Sequence, residues 1–443
     1  MSAKAETISY RAPFEARPAD ALIGPRRAAF ARFEQLGFPT RRDEAWRFTN
    51  LRPLQQHPYP PHPNPHPAGE REGPEKREGE GTVASRLSTY ALSGKTHRIV
   101  LFNGRCSPAL SAIGDLPKGV RLGATSRLLA NDAKLGAMLL DATDTTGGQA
   151  FSALNAALFD DGFTLVIEPG VAIETPIEIL HWSDAAESSF HLRNLIRLGE
   201  GSRATLIESF AGNGAYWTNS VGLVHLGAGA ALRHVALQDE AREAIHFGQI
   251  RAELARDARY ESFVLTLGGS LSRRDSFVKF TDEGAACGLF GAYLLRGEQE
   301  ATNATVVDHA APGCTTSEVF KGVVDEQAHG VFLGRIAVRP DAQKTDAHQL
   351  NKNLLLSPRA NVDTKPELEI LADDVKCSHG ATVGDLDEDA LFYLEARGIP
   401  TAEARRMLIE AFAADAIDRI EDDAALRAHL ASHVARWLGR EAH

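Results

Sequence analysis

The sequence predicts a mainly β fold: a parallel β-helix core with α-helical segments before and after it. Three observations carry this. From about residue 95, short β-prone runs recur (RIVLF, FTLVIEPG, IEIL, ATLIESF, YESFVLTL, DSFVKF, VFLGRIAV), with Gly, Asp, Asn and Pro between them. A small or turn-prone residue, then alanine, then a β-run repeats at Ala172, Ala204, Ala230, Ala258, Ala285, Ala328 and Ala360, in steps of 32, 26, 28, 27, 43 and 32. Apolar residues at helical spacing line both ends of the chain. A period of roughly 20–50 residues built from strands and turns marks a solenoid or a propeller. No WD-type or kelch signature is present, so a β-helix is favoured, with alanines stacked where each coil turns tightly. The alternative is a large irregular sandwich with recurring turn chemistry.

The elements follow in order. Residues 1–54 form an N-terminal helical domain. In RRAAFARFEQL, Ala29, Phe30, Phe33 and Leu36 share one helical face, and Gly37 with Pro39 stops the helix. Trp46, Phe48 and Leu51 are the next buried anchors. Residues 55–83 turn to proline and histidine, then to Glu, Gly, Arg and Lys. Such a segment buries too little to offset its ordering entropy and reads as an exposed linker. His57, His62 and His66 there could take a metal adventitiously, or simply belong to a proline-stiffened spacer. Residues 84–384 form the β-helix core, and residues 385–443 a helical C-terminal domain. Asp387 caps a helix whose Leu391, Phe392 and Leu394 face inward. Thr401 caps the next, striped by Met407, Leu408, Ala411, Phe412, Ile417 and Ile420. Asp422 or Asp423 opens the last, with Leu426, Leu430, Val434, Trp437 and Leu438 on one face. These wide stripes must cover either the end of the solenoid or a partner.

Composition narrows the function classes. The chain has 443 residues, 43% of them apolar, and a net charge of −11. An acidic balance lacks the basic footprint of nonspecific nucleic-acid binding. No run reaches the ~18 apolar residues of a membrane span, and MSAKAETISYRAPFEARPAD has no signal-peptide core. The four cysteines, Cys106, Cys287, Cys314 and Cys377, are few and scattered. That suits a reducing compartment, so a cytoplasmic location is expected. Cys287 and Cys314 lie one period apart, and either stack on neighbouring rungs or are plain buried residues.

Several motifs fail on inspection. SGKT at 93–96 imitates a phosphate-binding loop, but position 89, where the first glycine belongs, is threonine. No nucleotide is therefore expected on this chain. HExxH, CxxC and GxSxG are missing. A carbohydrate-cleaving β-helix needs paired acids flanking one bond. Asp373 and Asp374 are adjacent, and on a strand they would point to opposite faces.

Cys377 and His379 are the candidate metal ligands. ELEILADDVKC reads as strand, and residues two apart on a strand share a face. Thiolate and imidazole both suit iron–sulfur or zinc chemistry. Two ligands do not complete a site, so the rest would come from elsewhere or from another chain. A half-buried Cys beside a hydrogen-bonded His is the bland alternative. A Cys–His nucleophile pair lacks an evident orienting residue.

The stretch 346–399, DAHQLNKNLLLSPRANVDTKPELEILADDVKCSHGATVGDLDEDALFYLEARGI, resembles the signature region of the SufB/SufD family of iron–sulfur cluster assembly scaffolds. PTRRDEAWRFTNL (39–51) resembles its N-terminal motif, and 309–349 its central block. The likeness spans nearly the whole chain except the linker, which looks like an insertion. It implies a right-handed parallel β-helix between two helical domains, and a non-enzymatic scaffold. It implies pairing with the paralogue SufB through the β-helix edge near 360–384, and binding of the ATPase SufC through the C-terminal helices. It also implies a transient iron–sulfur cluster shared with SufB, at a junction to which His379 of KCSH contributes, with Cys377 beside it. DDVKCSHGATVG resembles the SufD branch; a SufB-type paralogue is the near alternative, because that branch tends to carry a glutamate-rich version. A homodimer of the chain alone, a stand-alone iron–sulfur or zinc protein, and a β-helix enzyme acting on carbohydrate remain as competing readings.

Overall fold

The computed structural model describes residues 4–17, 20–62, 80–129, 132–140 and 149–439. Its core is the expected solenoid. From Phe163–Ile167 to Lys376–Gly384, successive strands alternate between two sheets, so each of about eight coils gives one strand to each. All pairing along this stack is parallel, and one sheet's strands repeat at steps of 28, 28, 27, 29, 31 and 30 residues from Arg203 onward. No helix among the described residues is long and apolar enough to cross a membrane.

The repeat signal was two signals interleaved. Ala230, Ala258 and Ala285 each sit, fully buried, one residue before a strand of the first sheet, the one that holds Arg203–Gly212, the second being the one that holds Phe163–Ile167. Ala328 and Ala360 hold the same place before strands of the second sheet. The 43-residue step is therefore a change of corner, and Cys314 fills the expected alanine position between them. Ala204 is not a corner residue; it lies inside Arg203–Gly212. Nor do the two central cysteines stack: Cys287 pairs with Thr316, while Cys314 stands at the corner above Ala285. Both are buried, so the plain reading holds.

Just before each first-sheet corner the backbone takes positive φ, at Gly201, Gly229, Asp257, Gly284, Gly313 and Lys344. These residues stack too, each N–H donating to the next coil, from Gly229 N to Arg256 O (2.8 Å) up to Lys344 N to Asp374 O (2.7 Å). The ladder thus runs through the turns as well as the strands, and leaves few coil amides unpaired. Inside the stack a single apolar cluster extends from Ile99 to Ala372.

Parallel sheets need cover on their outer faces as well. The N-terminal segment covers the second sheet. Phe30 and Phe33 are buried as the helical spacing predicts, and Trp46 packs with Phe151, Trp217 and Phe247. The Arg273 guanidinium lies 3.8 Å from the Trp46 ring centre. The C-terminal helices cover the flank of the first sheet, and not the open end of the solenoid. Ile409, Ala413, Ala416, Ile417 and Ile420 of the middle helix are buried, with Leu426, Leu430, Val434 and Trp437 of the last. The expected stripe on the middle helix was rotated: Met407 is 41% exposed. The first of these helices, Glu388–Glu395, buries none of its residues, and Phe392, expected inward, is 71% exposed.

The linker is anchored where it begins. Tyr59 is buried, Pro61 bridges to Ser189, and the His62 N–H donates to the Ser189 carbonyl. His57 meets Glu187 and His62 lies against Phe190. His66 lies outside the described residues. ELEILADDVKC is likewise two strands: Asn361–Ile370 ends in one sheet, Lys376–Gly384 begins in the other, and Asp373 and Asp374 stand in the corner between.

Two expectations follow. Gly212→Ala would drive a Cβ into the Ser183 carbonyl oxygen and the Tyr216 hydroxyl; a loss of about 1–3 kcal/mol is expected in denaturant titration, and an unchanged midpoint would contradict this packing. His329 Nε2 lies 2.8 Å from Asp363 and its Nδ1 3.9 Å from Glu300, which also accepts from the Asn50 N–H. Burial alone would lower the imidazole pKa, but hydrogen bonds with Glu300 and Asp363 outweigh it and raise it above 6.5. The stabilisation is then complete below about pH 6.5 and is lost as pH climbs through the raised folded value. The Tm gap between the parent and His329→Gln should be widest near pH 6 and narrow toward pH 9; a constant gap would argue against the ion pair.

Candidate functional site

The stack ends on Asn361–Ile370 and Lys376–Gly384. Each is the terminal strand of its sheet, hydrogen-bonded along one edge only. The outward residues of Asn361–Ile370 are Asp363, Lys365, Glu367 and Glu369, while Val362 and Leu368 turn in against the core. Pro366, which cannot donate to a ladder, sits in this edge strand, the place a sheet tolerates it. Around the edge lie exposed apolar residues: Ile370, Leu371 at 56% and Val383.

Cys377 and His379 lie on this last strand, opposite Ala347 and Gln349. Cys377 is half-buried against the core and His379 is exposed. Alternation puts both on the inward side at the open end, as expected. Burial, and then the Asp346 carboxylate, pushes the Cys377 thiol up. A neutral thiol is a poor nucleophile, so the Cys–His nucleophile reading loses support. As a ligand the thiol would release its proton to solvent and bind as the thiolate.

Ser378 faces the other way. Its hydroxyl lies 2.6 Å from His348 Nδ1, and His348 Nε2 lies 2.8 Å from Asp346. This Ser–His–Asp line is on open surface, with His348 57% exposed. Acyl transfer depends on a desolvated site with oxyanion donors, so the line reads as surface chemistry. Among the described residues, no group of three or more His, Cys, Asp or Glu is placed to hold a metal. Cys377 and His379 are brought to one side of an open edge; His348, on the opposite side, does not join them.

A polar file runs inward beneath His379. Gln349, one coil below, donates from Nε2 to Glu318 Oε2 at 2.8 Å. Thr305, on the opposite sheet, donates to the same oxygen at 2.9 Å. Gly334 makes room for the Gln349 amide, which a Cβ there would strike. Glu318 is fully buried, and burial pushes its carboxyl up to about 7 against the lowering effect of Gln349 and Thr305. Sequence reading missed Glu318, Gln349 and His348. The period was the usable signal: Gln349 lies 30 residues before His379, the step of that coil.

A groove of about 700 Å³ lies elsewhere, over the second sheet, floored by Leu223, Phe277 and Val306. Its carboxylates Glu253, Asp275, Asp308, Glu44 and Glu367 are each paired with His225, Arg273, Arg339 or Lys365. A cation beside a carboxylate holds it ionised, the opposite of what a general acid needs. The carbohydrate-enzyme reading finds no support there.

Residues 181–412 match the family described as SUF system FeS cluster assembly, SufBD core domain. The chain is 30% identical over 411 residues to a SufBD family iron–sulfur cluster assembly protein of Synechocystis, covering 90% of this chain and 87% of the relative. It is 30% identical over 393 residues to the iron–sulfur cluster assembly protein SufD of Escherichia coli, covering 87% and 86%. The chloroplastic protein ABCI7 of Arabidopsis thaliana is 29% identical over 395 residues, covering 86% and 79%. With a two-sheet solenoid flanked by helices, and with these similarities over most of its length, the chain belongs to the SufB/SufD family of iron–sulfur cluster assembly proteins.

Proposed function

We propose that this chain is a non-catalytic scaffold subunit for iron–sulfur cluster assembly in the cytoplasm. It pairs with a SufB-type paralogue through its last coil and recruits a SufC-type ATPase through its C-terminal helices. It offers His379, and secondarily Cys377, to a site that the paralogue completes. The observation that carries this reading is the unfinished coil. One strand edge of each sheet is open, apolar residues surround it, and Cys377 and His379 stand on it. A long open edge is a template for another chain, and an incomplete ligand set calls for ligands from the same source. The cluster is cargo here. His379 would donate an imidazole lone pair and Cys377 a thiolate, each suited to iron. The helix Glu388–Glu395 supports the second contact, because Phe392 and Tyr393 are 71% and 56% exposed.

The direct test is coexpression of the tagged chain with SufB and SufC under anaerobic conditions, followed by pull-down. Recovery of neither partner by a folded chain would overturn the proposal. In that complex His379→Ala should lower cluster yield at least about tenfold, with stability within about 0.5 kcal/mol of the parent because the side chain is exposed; full yield would remove the ligand role. Cys377→Ser should cost less.

Removing the C-terminal domain at residue 385 is a poor test, since its helices cover apolar residues of the first sheet such as Phe263, Leu265 and Leu294. Phe392→Ser with Tyr393→Ser leaves that cover intact. The double variant should lose SufC and keep SufB; retention of SufC would place the ATPase contact elsewhere.

A further inference from the structure

Gln349 has two amide atoms with different fates. Nε2 is committed to Glu318 at 2.8 Å. Oε1 is buried and has no hydrogen-bond partner among the described residues, while Gln349 as a whole is 2% exposed. A buried carbonyl oxygen without a partner keeps its desolvation cost uncompensated. With Glu318 ionised the orientation is chemically determined: a carboxylate only accepts, so the amide nitrogen must face Glu318 and the oxygen must turn elsewhere. The residue directly across the strand pair, on the open side, is His379. Adjacent strands lie about 4.8 Å apart, so an imidazole N–H on the neighbouring strand is within reach of that oxygen. Glu318 is itself anchored from the opposite sheet by Thr305, so the file Thr305–Glu318–Gln349 crosses the coil interior and stops one rung short of His379.

We propose that Glu318 and Gln349 are positioning residues for His379: the carboxylate sets the Gln349 amide, and Gln349 Oε1 accepts one ring N–H of His379. The ring then holds a single tautomer, and its other nitrogen presents a lone pair to the open edge. Metal-binding histidines commonly donate their second ring nitrogen to such an acceptor. This inference rests on the proposed ligand role of His379 for its purpose, but not for its geometry.

The test separates the two. The full-length chain is labelled with ¹⁵N-histidine, and the His379 ring signals are identified by their loss in His379→Ala. Spectra are taken at pH 8.5, above the value of about 7 to which burial pushes Glu318. Gln349→Leu and Glu318→Leu should each move the His379 tautomer ratio toward that of free histidine, and Glu318→Gln, which still accepts from the amide, should keep the parent ratio. A parent ratio already equal to free histidine would overturn the proposal without any variant, even if the substitutions fail to fold. So would a folded Gln349→Leu with the parent ratio. Cluster yield with SufB and SufC is the second readout: Gln349→Leu should lower it about tenfold, and should add nothing in a His379→Ala background. A shifted tautomer with full yield would leave the positioning intact and overturn the ligand reading.

Discussion

Everything in this molecule depends on passing backbone hydrogen bonds from one coil to the next. A parallel strand has donors and acceptors on both edges, and a solenoid satisfies them only by adding another coil. Within the stack even the corners are paired, since the left-handed residues bond upward from Gly201 to Lys344. The first coils are closed by antiparallel partners, Arg105–Cys106 against His97–Phe102 and Val120–Ala124 against Phe163–Ile167. The last coil has no such partner among the described residues. Cys377 and His379 stand on its last strand, where a backbone edge is left open.

Inside, the stack is less oily than a solenoid needs to be. Glu208 is fully buried between His234 (2.8 Å) and His181 (3.4 Å), and hydrogen bonds from these histidines keep its carboxyl ionised despite burial. Glu318 has amide and hydroxyl partners only, and its carboxyl goes up instead. Two buried glutamates in one core thus differ because their neighbours differ, two imidazoles in one case and an amide and a hydroxyl in the other. Both span the two sheets or adjacent coils, and both restrict how coils can slip past one another.

The coil period was legible because corners demand small residues and positive φ, and these survive as Ala and Gly in the sequence. It was blurred where Cys314 stands for alanine and where the alanines change corner after Ala285. The pair Cys377–His379 was legible because strand alternation fixes which side chains meet. What covers what was not. The rotation of Thr401–Ile417 depends on the flank of the first sheet, formed by residues more than a hundred positions earlier such as Phe263 and Leu294. Phe392 looks like a core residue in sequence because an exposed apolar face has the same helical spacing as a buried one. Gln349 and Glu318 were invisible for a related reason: their roles appear only once neighbouring coils are in register.

The cover on the first sheet also has a mechanical meaning. Lys321, on Thr315–Val324, pairs with Asp415 of the helix Thr401–Ile417 and lies against the Phe412 ring. That strand is separated from Lys376–Gly384 by Asp346–Leu355 alone, a span of about 10 Å across two strand spacings. The hydrogen bonds between these strands lie along that span, so they form a short, stiff strut between helix and edge. A displacement of the helix is delivered to Cys377 and His379 with little slack, while the seven coils behind them act as a fixed mount.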